Sequence, residues 1–385
     1  MLKASARSAV EPFHAMDVMA AAAELEAAGK HVIHMEVGQP GAPAPKPVLA
    51  AAAEVLRNGR LGYTEALGVR ALRERIARHY RAAYGIDLSP ARVMVTGGSS
   101  GGFNLTFLGA FDPGGRIAMA TPAYPAYRNI LKAFGLEPVE IEVGPDTRWA
   151  LSAERLQEVH RKTPLACALV ASPANPTGTM TSPDELKRIA EYCHESGIRF
   201  LSDEIYHGLV YEGQAETALR LSDSAIVINS FSKYYCMTGW RVGWLVLPED
   251  LMRPFERLSQ SLYISVHELS QRAAVAAFDP ASIEELEAVK AGYARNRAAL
   301  LERLPALGFD EFLPVDGAFY IYASVARFTN DAHDFASRML KEAGVAATPG
   351  PDFDHARGHR YMRFSFAGTE ADISEGIDRL ERWLK

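Results

Sequence analysis

Short, almost wholly apolar runs alternate with helical patterns through the middle of the chain. ARVMVTGG (91–98), GRIAMATP (115–122), LACALVASP (165–173), IRFLSDE (198–204), AIVINS (225–230) and VGWLVLP (242–248) each read as a strand covered on both faces. SSGGFNLTFLGAF, after the first run, reads as a helix. TSPDELKRIAEYCHESG reads as another: Ser182 caps it, Pro183 suits its first position, Glu185 completes a capping box and Gly197 ends it. Strands alternating with helices predict an α/β domain with a mostly parallel sheet. The pattern then changes. GAFYIYASV and HRYMRFSFAG are strand-like, DAHDFASRMLKEAG is helical, and the last helix sets Ile373, Ile377, Leu380 and Leu384 on one face. This predicts a smaller α+β unit, joined through a charged helix over PASIEELEAVKAGYAR. Near the N-terminus, AMDVMAAAAELEAAG predicts a helix ending at Gly29.

Bulk properties narrow the function classes. With 385 residues, 48% hydrophobic and 23% charged, the chain has globular composition and room for two domains. A net charge of −6 argues against a broad nucleic-acid or anionic-membrane footprint. There is no apolar run of membrane-spanning length, and the N-terminus lacks the apolar core of a secretory signal, so a cytoplasmic protein is expected. Three cysteines, Cys167, Cys193 and Cys236, with no Cys-x-x-Cys, predict buried reduced thiols. HVIH and HARGH have two-histidine spacings without a third ligand, so no metal site is expected. ERIARHYRAAYG reads as a solvated helix face, and His207 as a structural histidine.

Four stretches carry chemistry, each open to a bland reading when taken alone. TGGSSGG (96–102) follows a strand and opens a helix, which suits either an anion cradle or a tight turn; its spacing fits neither a dinucleotide fingerprint nor a nucleotide P-loop. SPANPTG places Asn175 after a strand, at the edge where open α/β sheets bind ligands, or in a simple Asx turn. LSDEIYHGLVY ends a buried strand in Asp203, a costly carboxylate unless paired, with Tyr206 three residues on. NSFSKYYCMTGWRVGWLV sets Lys233 among serines and aromatics with no acidic neighbour, followed by Arg241. Most lysines are solvated, but one desolvated after a buried strand has a lowered pKa and a nucleophilic amine. Together these ask for one ligand with a phosphate, a basic ring nitrogen, an aldehyde and an adjacent oxygen. Pyridoxal 5′-phosphate has all four.

VGQPGAPAP, GYTEALGVRALRERIA, TGGSSGGFN, TPAYPAY, SPANPTG, SDEIY, SFSKYYCMTGWRVGW and MRFSFAG, in that order, closely resemble the class I/II aminotransferases of the aspartate aminotransferase type. The resemblance implies pyridoxal phosphate fold type I. That fold has a three-layer large domain with a mostly parallel sheet (46–280) and a smaller α+β domain (281–385), with 1–45 as an N-terminal arm and part of the small domain. It implies Lys233 as the Schiff-base lysine and proton carrier, Asp203 on the pyridine nitrogen, and Asn175 and Tyr206 on the phenolic oxygen. It implies Tyr124 on the ring face and Ser99, Ser100, Ser230 and Arg241 on the phosphate. Gly38, Asn175 and Arg363 would meet the substrate carboxylate. Tyr63 would reach the neighbouring subunit's phosphate, in a homodimer with composite sites. The implied reaction moves an amino group between an L-amino acid and a 2-oxo acid; the alternative on the same scaffold is a C–S β-lyase. Cys236 is expected to serve packing.

Overall fold

The computed structural model describes residues 2–309, 311 and 315–385. Its strands are β1 (Ile33–His34), β2 (Val93–Thr96), β3 (Arg116–Thr121), β4 (Glu137–Glu142), β5 (Cys167–Ala171), β6 (Arg199–Asp203), β7 (Ile226–Ser230), β8 (Gly243–Val246), β9 (Tyr320–Ser324), β10 (Val345–Ala346), β11 (Thr348–Pro349) and β12 (Tyr361–Ser365). Seven of them form one sheet in the order β2-β8-β7-β6-β5-β3-β4. Only β8 runs antiparallel to its neighbours. The apolar runs are continuous because both faces are covered. Along β7 and β8, Val227, Trp244 and Val246 enter one core, while Ile226, Ile228 and Leu245 enter the other.

Some sequence expectations need correction. The apolar-run signal misses β4: it is an edge strand paired only to β3, and its sequence EPVEIE is polar on its solvent side. The helix after β2 does begin where the sequence places it, one residue earlier at Gly98, with Ser99–Gly102 in its first turns; it ends at Gly109, short of Phe111. Ser182 does cap the helix Pro183–Glu195 through the Glu185 N–H, at 3.3 Å. Glu185 does not complete the box. Its carboxylate accepts from the Ala153 N–H at 2.6 Å, because the neighbouring helix Ala153–Lys162 offers an unpaired first-turn donor. ERIARHYRAAYG does present a solvated face, with Arg78, Arg81, Ala82 and Ala83 exposed, but the same helix (Arg70–Tyr84) also buries Leu72, Ile76, Ala77 and Tyr80, and the Tyr80 hydroxyl accepts from the Trp244 indole at 3.2 Å. Helical wrapping of three or four apolar positions among many charges hides the buried stripe.

The C-terminal part forms an antiparallel sheet, β11-β12-β9. The N-terminal segment is stitched to it, since β1 pairs in parallel with β10 (Ile33↔Val345). Ile33 and Met35 share a core with Phe319, Phe364, Ile373 and Ile377. The helix Pro280–Arg303 serves two cores, with Leu286 in one and Tyr293 and Leu300 in the other. The predicted helix after Asp331 is α-helical only over Ala332–Arg338 and widens to a π turn over Met339–Ala343.

Candidate active site

The large sheet brings its chemistry to one edge. β6 ends at Asp203, β7 ends at Ser230 with Lys233 three residues on, and the chain leaving β5 and β3 carries Asn175 and Tyr124. β8 runs the opposite way, so its start delivers Arg241 to the same edge. Arg363 arrives from β12 and Gly38 from the segment after β1.

Lys233 sits at the centre. Its ammonium donates to the Gly38 carbonyl and lies 5.9 Å from the ring centroids of both Tyr206 and Phe319. Burial, reinforced by the positive charges of Arg363 and Arg241 and opposed by Asp203, lowers its pKa to about 7. Asp203 is 3% exposed. It accepts from the Tyr127 hydroxyl and, at 3.1 Å, from the Ile205 N–H. Burial pushes its pKa up to about 6 against those donors and Lys233.

On one side lies an anion cradle. The helix Gly98–Gly109 opens here with free N–H groups. Gly98 adopts φ +73°, and a Cβ there would come 2.8 Å from an Arg241 guanidinium nitrogen. Gly243 is equally tight: its Cβ would sit 3.1 Å from the Ser99 nitrogen. Arg241 itself is exposed, with one bond to the Thr238 carbonyl at 3.1 Å. Ser99 is half-buried and Ser100 exposed at the helix start. The Ser230 hydroxyl is engaged locally, with Ser232 Oγ at 2.9 Å and the Val242 carbonyl at 3.1 Å.

On the other side is a buried guanidinium whose geometry suits an anion. Arg363, 4% exposed, donates to Asn175 Oδ1 at 3.0 Å, to the Glu36 carbonyl at 2.5 Å and to Thr348 Oγ1 at 3.2 Å. Its guanidinium is held 4.4 Å from the Tyr320 ring centroid and 4.8 Å from that of Phe353. Its Nε has no partner among the described residues. The Tyr206 and Tyr320 hydroxyls meet at 2.7 Å. Phe13 leans edge-on against Tyr124 at 5.7 Å, just before the helix His14–Ala27. Asp352 caps that helix from the far end of the chain, accepting from the N–H groups of His14 (3.1 Å) and Ala15 (3.2 Å).

Sequence reasoning missed Tyr127, Tyr320, Thr348, Phe353 and the Phe13–Asp352 latch. A signal existed only for Tyr127, the second tyrosine of TPAYPAY; the others come from strands and turns far away in sequence. Tyr63 is 82% exposed and hydrogen-bonds none of these side chains among the described residues. His207 is structural: burial lowers its pKa to about 3, and its ring nitrogens meet the Tyr84 hydroxyl (2.8 Å) and the Ser172 carbonyl (3.1 Å). Cys167, Cys193 and Cys236 are buried free thiols.

The arrangement fits pyridoxal phosphate on its own observations. Asp203 is a buried carboxylate bonded, among the described residues, only by neutral donors, which a cationic ring nitrogen would complement. The Gly98–Arg241 cradle admits no extra carbon but is lined by anion-binding groups. Between the two stands a lysine whose pKa burial lowers to about 7, so that a substantial share of its amine is neutral there.

Comparison with known proteins agrees. Residues 30–380 match the family described as aminotransferase class I and II. The chain is 50% identical to a valine–pyruvate aminotransferase of Mycobacterium tuberculosis, covering 98% of this chain and 97% of that protein. It is 34% identical to a (5-formylfuran-3-yl)methyl phosphate transaminase of Methanocaldococcus jannaschii, over 97% of each chain. The crystal structure of an aminotransferase from Mycobacterium tuberculosis superposes with a TM-score of 0.97 at 49% identity, covering 100% of this chain and 99% of that one. The chain therefore belongs to the class I and II aminotransferases, pyridoxal phosphate-dependent enzymes that move an amino group between an amino acid and a 2-oxo acid.

Proposed function

We propose that this enzyme moves the amino group of an aliphatic L-amino acid of the valine class to pyruvate, with Lys233 as its cofactor-holding lysine. The reading rests on how charge is allocated. The cations that act on the Lys233 amine are Arg363 and Arg241. Arg363 is committed to the carboxylate end and Arg241 to the phosphate end. Neither remains for a distal carboxylate within one chain's described residues, which favours a neutral side chain. The name of the Mycobacterium tuberculosis relative supports the same class.

In this reading Asp203 holds the protonated ring nitrogen, Asn175 and Tyr206 face the phenolic oxygen, and Tyr124 lies on the ring. Ser99, Ser100, Ser230 and Arg241 take the phosphate, joined by Tyr63 of the partner subunit. Gly38, Asn175 and Arg363 orient the substrate carboxylate. Bound there, pyridoxal phosphate supplies an aldehyde for the amino nitrogen and a ring that accepts the electron pair left at Cα. Lys233, neutral above about pH 7 because burial disfavours its ammonium, takes the Cα proton and returns it. Asp203 keeps its negative charge by facing a cation. The N-terminal and C-terminal segments (1–45 and 281–385) form a small unit that closes over the large one (46–280) and excludes water.

A homodimer with shared sites is part of the proposal. It is supported by the exposed Tyr63 (82%) and the apolar side chains Leu61, Leu262, Tyr263 and Ile264 left at the surface. A cytoplasmic location is supported by three buried unpaired cysteines. No helix among the described residues is long and apolar enough to cross a membrane.

A donor screen against pyruvate tests the substrate class: valine should exceed aspartate in kcat/KM, and the reverse order would sink it. Without acceptor, a donor should yield one 2-oxo acid per site and stop. Given an S-substituted cysteine instead, continuous release of a thiol, pyruvate and ammonia would mark the C–S lyase.

A further inference from the structure

Tyr320 is absorbed by none of the roles above, yet it touches three of the groups that have them. Its hydroxyl lies 2.7 Å from that of Tyr206, and both residues are buried. It abuts Gly38 so closely that a Cβ at Gly38 would collide with it. Its ring face carries the Arg363 guanidinium at 4.4 Å. Strand pairing fixes all this: Tyr320 sits opposite Ser365 on β12, two residues beyond Arg363.

We propose that Tyr320 is a positioning residue that donates its proton to the Tyr206 oxygen, turning the Tyr206 proton toward the cofactor's phenolic oxygen, while its ring seats Arg363. Each phenol has one proton, so the direction of the Tyr206–Tyr320 bond decides whether Tyr206 has a proton left for the cofactor. Arg363 decides that direction. It lies against Tyr320, and a cation there polarises the Tyr320 O–H and makes it the better donor. The other groups facing the pair are Lys233, 5.9 Å from the Tyr206 ring centroid, and Tyr124, whose phenol burial keeps protonated. A hydroxyl that accepts one hydrogen bond also donates a stronger one. Tyr320 thereby links the carboxylate receptor to the cofactor's oxygen.

The proposal rests on the reading that Tyr206 faces that oxygen, and the experiment separates the two. The visible absorbance of the pyridoxal phosphate-loaded enzyme is titrated against pH for wild type, Tyr320→Phe, Tyr206→Phe and the double variant. A donor to the phenolate keeps the midpoint low. Losing the Tyr320 bond leaves Tyr206 its proton but weakens what it donates by about 10–30%, and should raise the midpoint by about 0.1 to 0.6 pH unit. Tyr206→Phe should raise it at least as far, and the double variant should match Tyr206→Phe alone. The KM split gives a second readout. Tyr320→Phe keeps the ring under Arg363 and should leave KM for the donor within about threefold, whereas Tyr320→Leu should raise it by about 2- to 30-fold. If Tyr206→Phe shifts the midpoint but Tyr320→Phe leaves it or lowers it, Tyr320 has no such role. If Tyr206→Phe shifts nothing, the reading of Tyr206 falls first and this one with it. Equal loss of thermal stability and KM in both Tyr320 variants, without a spectral shift, would reduce Tyr320 to packing.

Discussion

Arg363→Lys tests the carboxylate end most directly. Arginine can meet a carboxylate with two parallel N–H bonds, and Arg363 has an Nε with no partner among the described residues to supply one of them. Lysine keeps the charge but forms one such bond at most. A charge-assisted hydrogen bond contributes about 1.5–3 kcal/mol, so kcat/KM should fall about 10- to 150-fold. The surroundings push toward the upper figure. Asn175 Oδ1 and the Glu36 carbonyl would each lose a donor, and the planar seat between Tyr320 and Phe353 would be filled by a flexible chain. The assay is initial rate against donor concentration at saturating pyruvate, with the visible spectrum recorded to show that the cofactor is still bound. A rise in KM with kcat unchanged would mean that Arg363 holds ground state and transition state alike; a fall in kcat would mean that the fork tightens as the reaction proceeds. A drop in kcat/KM of less than threefold, with cofactor in place, would refute the assignment.

Gly98→Ala should cost at least about tenfold in pyridoxal phosphate affinity, from a strained φ of +73° and a Cβ 2.8 Å from the Arg241 guanidinium; equilibrium dialysis of the cofactor-free protein checks it, and unchanged affinity would remove the cradle. Asp352→Ala should cost about 1 kcal/mol of helix capping and free Phe13, seen as faster amide exchange over residues 14–17; protection as in the wild type would show that the latch does not hold. Glu204→Gln probes a buried carboxyl beside the site, whose Oε1 accepts from Ser202, Thr217 and the Ala218 N–H and whose Oε2 lies 3.5 Å from His207. Burial raises its pKa from 4.5 to about 8, so its contribution is complete below pH ~4.5 and lost as pH rises through ~8. The Tm of Glu204→Gln relative to wild type should therefore climb between those values and level off above, and a pH-independent difference would contradict the assignment.

Local chemistry and period determined much of this protein from sequence alone. The strands β2, β3 and β5–β8 were legible because a strand covered on both faces must be apolar throughout. Lys233, Asp203 and Asn175 were legible because each closes or follows such a strand, where a polar group needs a reason. Arg363 was located by family resemblance, since nothing in MRFSFAG says what the arginine meets. Tertiary structure alone decided the partners. The Arg363 guanidinium is gripped by Asn175 from 188 residues upstream and by the Glu36 carbonyl from 327 upstream. Tyr127, Tyr320 and Asp352 acquire their contacts only when separate strands and helices converge. Sequence periodicity records which side of an element faces apolar surroundings. It carries no record of which distant side chain stands opposite, because that follows from strand order and register across the whole chain.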